Sequence, residues 1–189
     1  MVDNNGMDYE MKDYTPWNQL SVLPNSVLVI VDAQIGFIGP KTKHIRSAIE
    51  SLLHQKNSDF LAVFATKFRN LPKSQFRTLI GWDKVAEKPE TDLLESVKLY
   101  AVETINKTTY SAVLQIDKLL RKYKAQHVYL CGIDTDVCVL QNAAGLFDLG
   151  WHTLVLVDAC ATNGGAVAEQ SAIPLLRRTI GDAQVIEID

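Results

Sequence analysis

Short apolar runs that end in a polar residue recur along this chain, separated by stretches with helical periodicity. Val27-Leu28-Val29-Ile30-Val31 stops at Asp32, and Val128 to Ile133 leads into Asp134. Comparable runs lie at Phe60 to Thr66 and Thr153 to Val157. A strand with no polar alternation is apolar on both faces, so both must be covered, as in a parallel sheet between helices. The intervening segments supply those helices. Lys41 to Gln55 places Ile45, Ile49, Leu52 and Leu53 on one face, and Ser111 to Tyr123 aligns Val113, Ile116, Leu120 and Tyr123. Further elements are expected as a helix over Asp92 to Leu99, a strand over Ala101 to Ile105, a helix over Val137 to Leu149 and a closing strand over Gln184 to Ile188. Asn163-Gly164-Gly165 marks a turn before a last helix, which Pro174 is expected to kink or delay. The pattern predicts an α/β fold: three layers, αβα, around a mostly parallel six-stranded sheet.

A chain of 189 residues suits one domain with a substantial core. Residues 1–24 lack periodicity and read as an amino-terminal extension, in which Tyr14 and Trp17 argue against full disorder; residues 25–189 read as the domain. A net charge of −3, with scattered basic residues, gives no reason to expect a nucleic-acid partner. No apolar stretch approaches the roughly 20 residues of a membrane helix, and residues 1–17 lack the apolar region of a secretory signal. Three cysteines imply no disulfide framework, so a soluble cytoplasmic protein is expected.

Polar groups at the carboxyl ends of parallel strands share one rim, where open α/β sheets place their ligands. Asp32 ends the first strand, Lys107 follows the third, Cys138 follows the fourth and Asp158 ends the fifth. A thiol on the first turn of a helix feels the positive end of the peptide dipoles, which favours thiolate. Taken singly, each residue has a plainer reading. Cys138 fits equally well as a small buried apolar residue, Asp32 as a turn cap and Lys107 as a solvated cation.

Three blocks carry a family resemblance: Val31-Asp32-Ala33-Gln34 with Phe37, Lys107-Thr108-Thr109-Tyr110-Ser111-Ala112, and Gly132-Ile133-Asp134-Thr135-Asp136-Val137-Cys138-Val139. A fourth runs from Gly150-Trp151 to Val157-Asp158-Ala159. In order and spacing the chain resembles the isochorismatase-like cysteine hydrolases, among them nicotinamidases, N-carbamoylsarcosine amidohydrolases and ureidoacrylate-type amidohydrolases. The resemblance implies a catalytic triad of Asp32, Lys107 and Cys138. It also implies a cis peptide at Ile133–Asp134 and an oxyanion site made by the backbone amides of Asp134 and Cys138. On this reading Lys107 favours the thiolate, while Asp32 accepts the thiol proton and hands it to the leaving amine.

The departures from the family are also informative. Nicotinamidases carry histidines after the second strand that bind a metal, whereas this chain has Thr66-Lys67-Phe68-Arg69 there and no histidine between His54 and His127. No metal and no cofactor are expected, and all four histidines read as surface or structural. Val113 stands where many relatives have Phe, a change of packing. A substrate pocket is expected from Gln34, Phe37, Tyr110 and a loop holding Phe68 and Trp82, with Arg69 and Arg77 as further polar contacts or as solvated cations. Cys131 reads as core and Cys160 as structural. The expected function is cleavage of a small-molecule amide or ureido C–N bond through a Cys138 thioester. The alternatives are an isochorismatase-type vinyl-ether hydrolase and a non-catalytic binding protein. The resemblance also implies a homo-oligomer, dimer or tetramer.

Overall fold

A computed structural model of the protein describes residues 16–188. Six strands form one sheet: β1 (Ser26–Val31), β2 (Ala62–Phe68), β3 (Glu103–Lys107), β4 (His127–Ile133), β5 (His152–Ala161) and β6 (Val185–Ile186). Their order is β3-β2-β1-β4-β5-β6, and every strand pairing is parallel. The helices are α1 (Ile45–Lys56), α2 (Gln75–Thr78), α3 (Glu95–Tyr100), α4 (Val113–Lys122), α5 (Leu140–Asp148) and α6 (Ala166–Ile180). Helix α1 packs beside α3, and α5 lies between α4 and α6, giving the expected three layers.

The central strands show why the apolar runs are continuous. Every residue of β1 is buried, as is all of β4 after His127. Edge strand β3 instead alternates in burial. The chain moves outward from β1 to β3, then returns to place β4 against β1. The crevice outside the carboxyl ends of β1 and β4 is therefore the point where the winding reverses. Gly132 allows these strands to meet there. Its φ is +125°, and a Cβ on it would lie 2.0 Å from the Val31 carbonyl oxygen.

Several boundaries differ from those expected. Strands β2 and β3 each end two residues late, because their register pairs Phe68 with Lys107. Phe68 therefore closes a strand and is not in the loop, and Lys107 is the last strand residue. Strand β5 continues to Ala161 because its pairing with β4 jumps from Leu130–Val155 to Gly132–Cys160, leaving extra residues in a bulge. Asp158 sits in that bulge, away from the strand end assigned to it, and accepts the Ile188 N–H at 2.8 Å. Cys160 is a buried strand residue. Helix α6 runs through Pro174; the Gln170 carbonyl it leaves without a partner belongs to an exposed residue that water can reach. Much of the expected extension, including Tyr14, lies outside the described residues. Trp17 and Leu20, however, are buried members of the main core. Among the described residues no helix is long and apolar enough to cross a membrane.

Candidate active site

Asp32 follows the last residue of β1 with φ +48°, a conformation uncommon for a residue with a side chain. Thr66, near the end of neighbouring β2, holds it twice. The Asp32 N–H donates to Thr66 Oγ1 at 3.0 Å, and that hydroxyl donates to Asp32 Oδ1 at 2.7 Å. The other carboxylate oxygen, Oδ2, lies 2.5 Å from Lys107 Nζ, and both side chains are buried. An ammonium carries three N–H donors. Besides Asp32, Lys107 Nζ donates to the Thr109 carbonyl at 3.0 Å and the Tyr110 carbonyl at 2.7 Å. Cys138 Sγ stands 3.6 Å from the same nitrogen, and the Phe68 ring centroid 5.5 Å away.

Cys138 is carried by a π-helical turn, Thr135–Val139, that runs into α5. The expected regular helix from Val137 thus begins earlier and more widely wound, a form that recurs at functional sites. The Ile133–Asp134 peptide before it is cis. Asn142, fully buried one turn after Cys138, donates to the Cys138 carbonyl at 2.7 Å and to the Tyr110 carbonyl at 3.4 Å. Its oxygen accepts the Ala112 N–H at 2.8 Å. One amide thus ties the cysteine turn to the loop that grips Lys107.

Burial pushes the Cys138 thiol well up, the Asp32 charge pushes the same way, and Lys107 opposes them only in part. Burial and Asp32 thus favour the thiol form, against the pull of Lys107 towards thiolate. Burial likewise raises Asp32 against the lowering effects of Lys107, Thr66 and Cys138. A carboxyl held above its usual range is better suited to take up a proton.

Beside Cys138 lies a cavity of about 150 Å³, walled by Phe37, Phe68, Phe76, Trp82, Tyr110 and Asp134, with Ile80 and Val137. Phe37 stacks on Trp82 at 5.9 Å, and Phe76 meets Tyr110 edge-on at 4.9 Å. Gln34, expected in the wall, does not line it. Its amide is used within the fold, accepting from Phe68 N–H at 2.7 Å and donating to the Phe68 and Thr91 carbonyls at 2.9 and 3.0 Å. Arg69 pairs with Glu87 and Arg77 donates to the Asp83 carbonyl, so neither lines the cavity. The sequence reading passed over Phe76, Asn142 and the role of Thr66. Thr66 carries the signal that exposed Asp32, a polar residue closing an apolar run, and Asn142 is the lone amide on an otherwise apolar buried face of α5.

Among the described residues no three His, Cys, Asp or Glu side chains are placed to hold a metal ion. The donor set of a metal-dependent relative does not fit this chain. His127 and His152 do meet, with Nδ1 atoms 2.8 Å apart, but they begin β4 and β5 at the opposite edge of the sheet.

Comparison with known proteins places this geometry. A family model described as the isochorismatase domain matches residues 26–184. Isochorismatase domain-containing protein 2 of Rattus norvegicus is 42% identical over 62 residues, 32% of this chain and 30% of that protein. A ureidoacrylate amidohydrolase of Serratia proteamaculans is 34% identical over 85 residues, 43% of this chain and 34% of that one. These matches span about a third of the length of the curated relatives. Among solved structures, a pyrazinamidase/nicotinamidase from Streptococcus mutans superposes with a TM-score of 0.74 at 23% identity, covering 85% of this chain and 99% of that one. The N-carbamoylsarcosine amidase of Thermoplasma acidophilum gives 0.71 at 20% identity, covering 83% and 93%. At such identities the likeness is one of fold. The family match runs from the first residue of β1 to the residue before β6 and takes in Asp32, Lys107 and Cys138, so this chain belongs to the isochorismatase domain family.

Proposed function

We propose that the protein is a cysteine hydrolase that cleaves a small-molecule amide or ureido C–N bond through a thioester on Cys138. The observation that carries this reading is the buried cluster in which Lys107 Nζ contacts both the Asp32 carboxylate and Cys138 Sγ, at the mouth of a small cavity. The similarity to amidases and an amidohydrolase supports the same class.

The chemistry follows from the protonation states. With burial and the Asp32 charge favouring the thiol form of Cys138, Asp32 takes its proton as sulfur attacks the carbonyl carbon. Lys107, held by Asp32 and two carbonyls, fixes the carboxylate and offsets the charge arriving on sulfur. The backbone amides of Asp134 and Cys138 are the donors for the tetrahedral oxyanion; one such donor is worth roughly 3–4 kcal/mol in a known protease. Asp32 then passes its proton to the departing nitrogen and activates the water that opens the thioester. No step calls for a metal. Three free cysteines fit a reducing compartment, and the apolar side chains exposed at Leu99, Val102 and Leu114 leave surface for a homo-oligomer.

Cys138→Ala is expected to abolish ammonia release from any amide that the wild-type protein turns over. Retained turnover overturns the mechanism. Release of pyruvate from isochorismate, undiminished in the same variant, would instead establish vinyl-ether cleavage, which does not use the thiol.

A further inference from the structure

The walls of the cavity carry one carboxyl group and no cation. Five aromatic residues share its walls with Asp134, and no Lys, Arg or His lines the space. Lys107 stands at its edge with its donors directed to Asp32 and the carbonyls of Thr109 and Tyr110. Lys41, which donates to the Asn163 carbonyl at 3.3 Å, lines a different cavity.

Asp134 is anchored on one side only. Its Oδ1 accepts both the backbone and the side-chain N–H of Asn163, each at 2.9 Å. No protein donor reaches Oδ2 among the described residues. Burial raises the Asp134 carboxyl and the two Asn163 N–H bonds oppose that rise; as a charge it adds to the burial that favours the protonated forms of Tyr110 and Cys138. Asp136 and Glu169, bonded to Thr162 and Thr135, add negative charge on the same flank.

An aromatic enclosure with one unshared carboxylate oxygen is a complement for a small organic cation. A methylated ammonium needs no hydrogen-bond acceptors, and ring faces and a nearby charge can both attract it. A substrate carboxylate would instead meet Asp134 with no cation lining the cavity, and like charges at such range are costly. The cavity volume of about 150 Å³ is below the usual span for ligand pockets, about 300–1,000 Å³, and limits the guest to a few heavy atoms.

We propose that Asp134 and the rings around it select a small alkylated ammonium group, making the substrate a short amide whose acyl part bears that cation, such as an N-methylated glycinamide. The substrate assignment rests on the hydrolase reading above, while the cavity's preference for a cation does not. In the reaction the S–C bond forms as the C–N bond breaks, and the thiol proton leaves on nitrogen. Water then opens the thioester, so that amide plus water gives carboxylate plus ammonium.

Choline and 3,3-dimethylbutan-1-ol have the same shape and differ in charge. Titrated onto the wild-type protein, choline is expected to bind about tenfold more tightly or better, as one ion pair and cation–π contacts require. In Asp134→Asn, which keeps an acceptor for Asn163, the ratio is expected to fall towards one. Equal binding to the wild type overturns the proposal whether or not the variant folds, and a preference that survives Asp134→Asn removes Asp134 from it. Betaine amide, 3,3-dimethylbutanamide and succinamate then extend the test to turnover, with the cationic amide expected to give the highest kcat/KM. Turnover of the neutral or anionic amide in preference to the cationic one overturns the selectivity alone. A choline preference with no turnover of any amide upholds the selectivity and counts against the hydrolase reading.

Discussion

Asp32 affects Cys138 in two opposed ways, and one substitution separates them. As a charge, Asp32 keeps the thiol protonated; as a base, it removes the proton when substrate is attacked. Asp32→Asn is therefore expected to lower turnover by roughly 10²–10⁴-fold, the range of a lost general base. The same change removes a negative neighbour and leaves Lys107 to act on sulfur, so alkylation of Cys138 by iodoacetamide at neutral pH should become faster. In the wild type, alkylation should be slow at neutral pH and climb as pH rises, because burial and Asp32 both favour the thiol. Lower turnover with slower labelling in the variant would show that the carboxylate does not hold the thiol protonated. Thr66 and Asn142 extend the same economy of partners. One hydroxyl fixes Asp32 through both its backbone and its side chain, and one amide joins the cysteine turn to the carbonyls around Lys107.

At the scale of elements, Gly132 controls how closely β4 can lie against β1. A Cβ at this position would overlap the Val31 backbone, and the φ of +125° disfavours any side chain. Gly132→Ala is expected to destabilise the fold by about 4 kcal/mol or more, in the class of severe backbone clashes, read as a lower urea midpoint; an unchanged midpoint would mean that the strands separate at little cost. The central elements were legible in the sequence because burial on both faces leaves no ambiguity of period. Strand β1 and the run of β4 are examples, and the rim residues Asp32, Lys107 and Cys138 followed from them. Boundaries were less legible wherever a partner strand or a distant side chain sets them. The register with β3 carries β2 on to Phe68, and the bulge in β5 draws Asp158 away from the rim. Gln34 was read as a pocket residue because its position beside Asp32 is visible in sequence, whereas its bonds to Phe68 and Thr91 are made across the fold. The effect of burial on the thiol was not legible for the same reason, since burial is a property of the assembled site.

Across the whole molecule the two ends of the sheet carry opposite kinds of chemistry. The carboxyl edge gathers the buried ion pair and thiol, while the amino edge holds the His127–His152 contact. Nitrogens 2.8 Å apart share a single proton, and a second one at that contact would put two N–H groups face to face. His127 is held below its usual range by burial and by His152. The folded protein thus binds fewer protons than the unfolded chain, so this contribution is present above about pH 6.5, the ordinary histidine value, and is lost as pH falls below it. His127→Asn should flatten the acid side of the stability profile between pH 7 and 5, measured by thermal unfolding; an unaltered slope would exclude the pair as its source. The cavity at the other edge is itself built in two halves. Phe68 is locked by Gln34 at the end of β2, and Trp82 is held against it by the rings of Phe37, Phe68 and Phe76, whereas Ile80, 60% exposed, stands on the loop after α2. Change is cheap on the loop and expensive at the strand end. Descendants of this chain that acquire new substrates should accordingly differ first at Ile80, with Gln34 and Phe68 passed on unaltered beneath it.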